Sequence, residues 1–327
     1  MVYVLLVIGL ILLVKGADWF VNGSSAIARF FHIPSFIIGL TIIAFGTSAP
    51  EAAVSITAAL KGQNDIALGN VIGSNMFNLL AVTGVCAIIK PISVKTSILV
   101  KEVPFSILST IVLLFMGADI FLDGQTANML SRSEGWVLLL LFCVFVFMLV
   151  MSALSARKSG GEQIVAQSMD KILSEEKRRP LWQSALIVII GLAGVIGGGQ
   201  LVVHAAREIA LSFGISESFV GLTVVAIGTS LPEFVTGIVA AAKGESDMAV
   251  GNVVGSNIFN ILFVLAASAA IRPIQFDINV FIDLGILVGV SLLIYLFAIM
   301  RKEINRVEGG ILTILYVGYM TFLVLRT

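Results

Sequence analysis

Two glutamates, Glu51 and Glu233, each lie within a long apolar stretch of the sequence. A charged side chain at the centre of a membrane helix costs about 3 kcal/mol on insertion scales, so a partner must offset that cost. A bound cation is one such partner; the alternative is a protonated glutamate that serves only as a structural hydrogen-bond donor. Because the two glutamates occupy equivalent positions in a repeated pattern, we favour a shared cation site.

A proline precedes each glutamate, within the pattern Gly-Thr-Ser-x-Pro-Glu. Pro50 lacks an N–H group and its ring conflicts with the carbonyl group of Gly46, and Pro232 conflicts in the same way with Gly228. Each helix is therefore predicted to kink or unwind at this pattern. Carbonyl groups freed inside a membrane are tolerated where they line a cavity or a site, although a plain proline kink is the alternative.

Hydroxyl groups accompany each glutamate. Thr47 and Ser48 precede Glu51 by four and three residues, a spacing that predicts a place on the same face of the helix. The second copy repeats this spacing with Thr229, Ser230 and Glu233. These hydroxyl groups favour a binding function over a plain kink.

A second pattern, Gly-Asn-x-x-Gly-Ser-Asn, follows each glutamate. Ser74 and Asn78 lie four residues apart, and therefore on one helix face. The equivalent residues in the second copy are Ser256 and Asn260. Hydrogen bonding between helices is the alternative role for these side chains, and the glycines of the pattern have the spacing of close helix packing.

All of these groups offer oxygen atoms, which are hard donors for cations. Calcium takes six to eight oxygen ligands in a flexible geometry, and two carboxylates balance its charge. Sodium could use the same oxygens, whereas transition metals prefer nitrogen or sulfur. Cys86 and Cys143 lie in apolar runs, and His32 and His204 are isolated, so neither a disulfide nor a zinc site is predicted.

Both patterns recur at a constant offset of 182 residues, and the match needs no gap from about residue 9 to residue 92.

Composition indicates the class of protein: 58% of the 327 residues are hydrophobic, 12% are charged and the mean hydropathy is +1.06. A soluble domain has about twice that charged fraction, so a lipid bilayer is the predicted partner. The net charge of +0 argues against nucleic acid, and no obligate protein partner is evident.

Apolar stretches of about 20 residues predict an all-α integral membrane protein with ten transmembrane helices. They cover residues 1–30, 36–60, 65–88, 97–117, 135–155, 183–212, 218–242, 247–271, 278–299 and 308–325. Five spans per copy is an odd number, so equivalent helices run in opposite directions. We therefore predict two inverted-topology five-helix repeats, residues 1–155 and 183–327, with the binding site at the membrane midplane between them.

Residues 156–182 form the predicted linker, with a short surface helix near 163–173. With both termini outside, 14 of the Lys and Arg residues fall on the cytoplasmic side and 5 on the outer side, and Lys15 falls within the first span. This bias predicts outside termini and a cytoplasmic linker. A linker without a large regulatory domain suits a prokaryotic inner (plasma) membrane.

The two patterns resemble the signatures of the sodium/calcium exchanger family, in its prokaryotic form, within the cation/calcium antiporter superfamily. The resemblance covers nearly the whole chain, and implies four clustered cation sites between the halves, calcium and sodium as transported ions, no cofactor and no enzymatic activity. It implies that Glu51 and Glu233 hold calcium together with the backbones of Thr47 and Thr229. The residues implied for sodium and for the central site are Ala44, Ala226, Thr47, Thr229, Ser48, Ser230, Ser74, Ser256, Asn78 and Asn260, with the glutamates.

This sequence differs from two branches of the superfamily at residues that bear on the coupling ion. Some relatives, including the potassium-dependent branch, carry aspartate where this chain has Asn260, which argues against potassium co-transport. The calcium/proton branch resembles Gly-Asn-Ala-x-Glu, whereas this chain has glycine in place of that glutamate in both copies, which favours sodium over protons. A calcium/proton antiporter and a cation channel stay as alternatives; an intramembrane protease would need paired aspartates.

The first and sixth spans are each about 30 residues, longer than a bilayer requires, so they are expected to tilt. They hold equivalent positions in the two repeats, and the resemblance implies that they slide as a pair past a fixed site. Asp18 lies in the first span, and the equivalent position in the other repeat is Gln200. We interpret Asp18 as a structural or gate-lining residue rather than a cation ligand.

Overall fold

The computed structural model describes residues 2–172, 180–213 and 226–326. In chain order the helices are α1 (Val2–Phe31), α2 (Ser35–Thr47), α3 (Ala49–Lys61), α4 (Asn64–Ile89), α5 (Thr96–Met116), α6 (Asp119–Asp123), α7 (Arg132–Ile172), α8 (Leu181–Ser212), α9 (Ala226–Thr229), α10 (Leu231–Ala242), α11 (Ser246–Ile271), α12 (Ile278–Arg301) and α13 (Arg306–Arg326). The strands are β1 (Ile92–Ser93), β2 (Met129–Leu130), β3 (Ile274–Gln275) and β4 (Glu303–Ile304).

Within these ranges, eight helices are long and apolar enough to cross a membrane, and the bent pair of α2 and α3 makes a ninth. The prediction of an all-helical membrane protein is confirmed. Nine of the ten predicted spans fall on these helices; the span 218–242 begins outside the described residues and continues in α9 and α10. The count of ten stays a prediction. The short helix predicted near 163–173 is instead continuous with α7 as far as Ile172.

The predicted kink in the second span is present. Helix α2 ends at Thr47, α3 begins at Ala49, and their axes differ by 48°. Pro50 lies in the first turn of α3, where its missing N–H leaves no hydrogen bond unmade. Pro232 occupies the same place in α10, after a break at Ser230. In both copies the proline therefore starts a new helix rather than only bending an old one.

Helices α4 and α11 form the centre of the molecule, since 78% of the most apolar window of each is buried. Each contains a π-helical turn, and these turns begin at Asn78 and Asn260. A π-turn adds one residue to the helical ring and is frequent at functional sites. The outer helices α7 and α13 are mostly exposed and apolar, as lipid contact requires.

Two short antiparallel ladders join the two parts of the chain. Strand β1 pairs with β4, with Ile92 opposite Ile304. Strand β2 pairs with β3, with Leu130 opposite Ile274. Each ladder therefore takes one strand from residues 1–155 and one from residues 183–327.

Helices α1 and α8 pack closely against each other through glycines. A Cβ atom at Gly16 would lie 2.6 Å from the backbone nitrogen of Val195, and one at Gly191 would lie 2.5 Å from the backbone nitrogen of Phe20. A Cβ atom at Gly198 would lie 2.5 Å from the backbone nitrogen of Leu13. The two backbones are in direct contact, which only glycine at these positions allows.

Replacing Gly198 by alanine should therefore destabilise the protein by about 1–3 kcal/mol, the usual cost of overpacking. Gly197 is the matched control, because a Cβ atom there would meet nothing within 4 Å. Gly197→Ala should leave the midpoint of thermal unfolding in detergent unchanged or slightly raised, while Gly198→Ala lowers it. Equal midpoints for the two variants would contradict the close contact of α1 and α8.

Candidate functional site

The predicted polar residues lie in the interior. Glu51 in α3 and Glu233 in α10 are 0% exposed, as are Asn78 and Asn260 in the central helices. Thr47, Ser48, Ser74, Ser230 and Ser256 are buried with them. A cluster so rich in polar groups needs hydrogen bonds or a bound ion to offset the loss of water.

The serine hydroxyl groups bond the glutamate of the other half. Ser48 Oγ donates to Glu233 Oε1 at 2.7 Å and lies 2.9 Å from Ser256 Oγ. In the equivalent arrangement, Ser230 Oγ donates to Glu51 Oε1 at 2.9 Å and lies 2.9 Å from Ser74 Oγ. The spacing of three residues predicted that each serine shares a helix face with the glutamate that follows it. The helix breaks at each serine, and its hydroxyl group bonds the glutamate of the other half instead.

Two asparagines that sequence reasoning left without a role support the threonines. Thr47 Oγ1 donates to Asn252 Oδ1 at 3.2 Å, and Thr229 Oγ1 donates to Asn70 Oδ1 at 3.2 Å. The Asn252 amide donates in turn to the backbone oxygen of Glu233, and the Asn70 amide to that of Glu51. Both asparagines belong to the Gly-Asn-x-x-Gly-Ser-Asn pattern, so the constant offset was the signal that could have found them.

Four buried side-chain oxygens of the site accept no hydrogen bond from the residues that the structure describes. They are Glu51 Oε2, Glu233 Oε2, Asn78 Oδ1 and Asn260 Oδ1. Buried oxygens without a partner are rare, because each costs roughly 1–3 kcal/mol. These four come as two equivalent pairs, and all are hard donors of the kind that calcium and sodium bind.

The described residues contain no group of three or more His, Cys, Asp or Glu side chains that could hold a metal ion. A cation at this site would therefore depend on two carboxylates and on neutral hydroxyl, amide and carbonyl oxygens. Ala44 fits this, since it is buried and its carbonyl group accepts from Ser256 Oγ at 3.5 Å. Ala226 begins α9, and its side chain lies outside the described part of the chain.

Asp18 lies apart from this cluster. Its carboxylate forms an ion pair of 2.6 Å with Lys243, and Lys243 also donates to Asn22 Oδ1 at 2.6 Å. Three residues further along α1, Ser25 Oγ donates to Glu245 Oε1 at 3.2 Å. Helix α1 is thus tied to the end of α10. In the described residues, the equivalent positions Lys61, Gln200 and His204 show no such contacts.

The fold is that of a helical membrane protein, and its relatives place it in the class of cation/calcium antiporters. The chain belongs to the sodium/calcium exchanger protein family, whose model matches residues 1–151 and 183–325.

Two curated relatives and one solved structure are similar over almost their whole length. The putative antiporter CaxA of Alkalimonas amylolytica is 39% identical over 98% of both chains. The sodium/calcium exchanger MaX1 of Methanosarcina acetivorans is 30% identical over 98% of both chains. The structure of the sodium-calcium exchanger NCX_Mj superposes with a TM-score of 0.82 and 35% identity, over 98% of this chain and 97% of that one.

Proposed function

We propose that this protein exchanges sodium for calcium across the membrane, as a secondary antiporter with one set of oxygens that both ions use in turn. The observation that carries the proposal is the set of four unpartnered buried oxygens, two from glutamates and two from asparagines. The four oxygens belong to equivalent positions of one repeated cluster, and a cation bound among them would satisfy groups that the described residues leave without a partner.

The charges of the site suggest how exchange is coupled. The described part of the cluster offers two carboxylates, so one calcium ion neutralises both. Sodium ions bound to the same oxygens occupy the carboxylates that calcium needs, and loading one cation type excludes the other. Each change of access then carries calcium or sodium, but not both.

Sodium is the proposed coupling ion for two reasons. The position where the calcium/proton branch carries a second glutamate is Gly73 in one copy and Gly255 in the other. The relative MaX1, similar along its whole length, is named a sodium/calcium exchanger. Calcium/proton antiport is the second candidate, because both glutamates are carboxyl groups that protons could also occupy.

We propose that access alternates through movement of α1 and α8 as a pair, within two inverted repeats. The close glycine contacts between α1 and α8 support movement as a unit. The ties of α1 to Lys243 and Glu245 suggest a state that is closed at the Lys243 end. With the termini outside, that end is cytoplasmic, which a reporter fused to the C-terminus would test.

The test is uptake of radioactive calcium into proteoliposomes that contain the purified protein, driven in turn by sodium, potassium and proton gradients. We expect uptake only when sodium leaves the vesicle, and release of calcium when the sodium gradient is reversed. Uptake driven by a proton gradient alone would establish the second candidate. Calcium entry at the same rate without any counter-ion gradient would point to a channel and refute exchange.

A further inference from the structure

Asn75 and Asn257 lie next to the cluster but offer it no free oxygen. Asn75 is 0% and Asn257 is 2% exposed, one residue after Ser74 and Ser256 respectively. Asn260 Nδ2 donates to Asn75 Oδ1 at 3.1 Å, and Asn78 Nδ2 donates to Asn257 Oδ1 at 3.2 Å. Each therefore bonds the amide nitrogen of an asparagine whose oxygen belongs to the site.

The orientation of an asparagine amide decides what it offers to a cation. Its oxygen is a ligand, whereas its NH₂ group carries partial positive charge and repels a cation. The two ends have nearly the same shape, so packing alone does not choose between them. A hydrogen-bond partner that can only accept, or only donate, makes the choice.

A backbone carbonyl group makes that choice for Asn75. Asn75 Nδ2 donates to the backbone oxygen of Asn257 at 3.3 Å, and a carbonyl oxygen can only accept. The NH₂ end of Asn75 is thereby fixed on one side, so its Oδ1 atom faces Asn260. The amide of Asn260 must then present its own NH₂ group to that atom, which leaves Asn260 Oδ1 without a hydrogen-bond partner in the described parts of the chain.

We propose that Asn75 is a positioning residue that holds the amide oxygen of Asn260 toward the bound cation. The described contacts give Asn257 no matching hydrogen bond to a backbone oxygen, so the two amides are not fixed in the same way. The Asn260 amide is fixed through Asn75, and the Asn78 amide by the side chain of Asn257 alone. This inference rests on the proposed cation site and adds to it a residue that contacts no ion.

The proposal predicts an unusual dependence on residue 260. Asn75→Leu removes the acceptor and lets the Asn260 amide rotate, so we expect the calcium dissociation constant to rise about 10–100-fold, as for other residues that orient metal ligands. A carboxylate has an oxygen at both ends and needs no such orientation. In an Asn260→Asp background, Asn75→Leu should therefore cause no comparable rise in the dissociation constant.

The experiment is a double-mutant cycle, with calcium affinity measured by titration calorimetry on purified protein free of sodium. The four proteins are the wild type, Asn75→Leu, Asn260→Asp and the double variant. Tight binding by the double variant shows that leucine at position 75 permits folding. An equal loss in both backgrounds would mean that Asn75 only supports the structure, and would overturn the proposal, as would no loss in either.

The same data separate this inference from the function on which it rests. Absence of calcium binding by the wild type contradicts the proposed site itself. Normal binding by the wild type together with normal binding by Asn75→Leu contradicts only the role of Asn75.

Discussion

Replacing Glu51 by glutamine is expected to abolish calcium transport. Glutamine keeps the size of the side chain and can still accept from Ser230, but it removes one of the two charges that balance calcium. It also sets an NH₂ group in place of one carboxylate oxygen. Loss of a direct ligand should exceed the 10–100-fold effect of losing a supporting residue, so we expect affinity to fall by at least about 100-fold.

Glu102→Gln is the matched control for this prediction. Glu102 is also a buried carboxylate, 5% exposed, but it lies in α5, and among the described residues it has one unpartnered oxygen and no hydrogen bond to the cluster. Calcium uptake should survive Glu102→Gln and be lost in both Glu51→Gln and Glu233→Gln. Normal uptake by Glu51→Gln, in protein shown to be folded, would refute the assignment of the site.

Fixing α1 to the end of α10 should stop exchange completely. Ser25 Oγ lies 3.2 Å from Glu245 Oε1, so cysteines at these two positions are within reach of a short bifunctional methanethiosulfonate reagent, which joins to each of them through a disulfide bond. The reaction needs a background in which Cys86 and Cys143 are replaced by alanine. If α1 slides past the core during transport, the bridge holds it in one position, and a reducing agent that cleaves the bridge should restore uptake.

The control is a bridge inside the proposed moving pair. A Cβ atom at Gly9 of α1 would lie 3.0 Å from that of Leu201 in α8. A disulfide needs about 3.5–4.5 Å between these atoms, so cysteines at the two positions can form one once the helices part slightly. Because α1 and α8 are proposed to move together, this bridge should leave exchange intact. Continued exchange with α1 bridged to Glu245→Cys would exclude sliding, and loss of exchange with the Gly9–Leu201 bridge would exclude movement as a unit.

Much of the molecule could be predicted from sequence because membrane helices and proline breaks depend on local properties. An apolar run of this length forms a helix in lipid, and Pro50 interrupts one, and both follow from local properties of the chain. The constant offset of the two patterns then selected Glu51, Glu233 and their neighbours. The sequence could not say which hydroxyl group meets which carboxylate, since Ser48 and Glu233 are joined only by the packing of distant helices.

The partners of Asp18 were beyond sequence reasoning for a related reason. Its position in an apolar span marks it as unusual, but Lys243 lies 225 residues away, and only the crossing of α1 and α10 brings them together. The proposed role of Asn75 could not be predicted from sequence either. It depends on a hydrogen bond to the backbone oxygen of Asn257, and every residue type has such an oxygen.

The strand ladders have a consequence for biosynthesis. Ile92 can pair with Ile304 only after almost the whole chain has been synthesised. Leu130 likewise can pair with Ile274 only after the ribosome has added more than a hundred further residues. Until then Glu51 lacks the hydrogen bond from Ser230, so we expect the early part of the chain to be incompletely folded. A nascent chain halted after residue 155 should therefore be a substrate for membrane quality-control proteases, and we expect resistance to proteolysis to appear only after the strands of the two parts have paired.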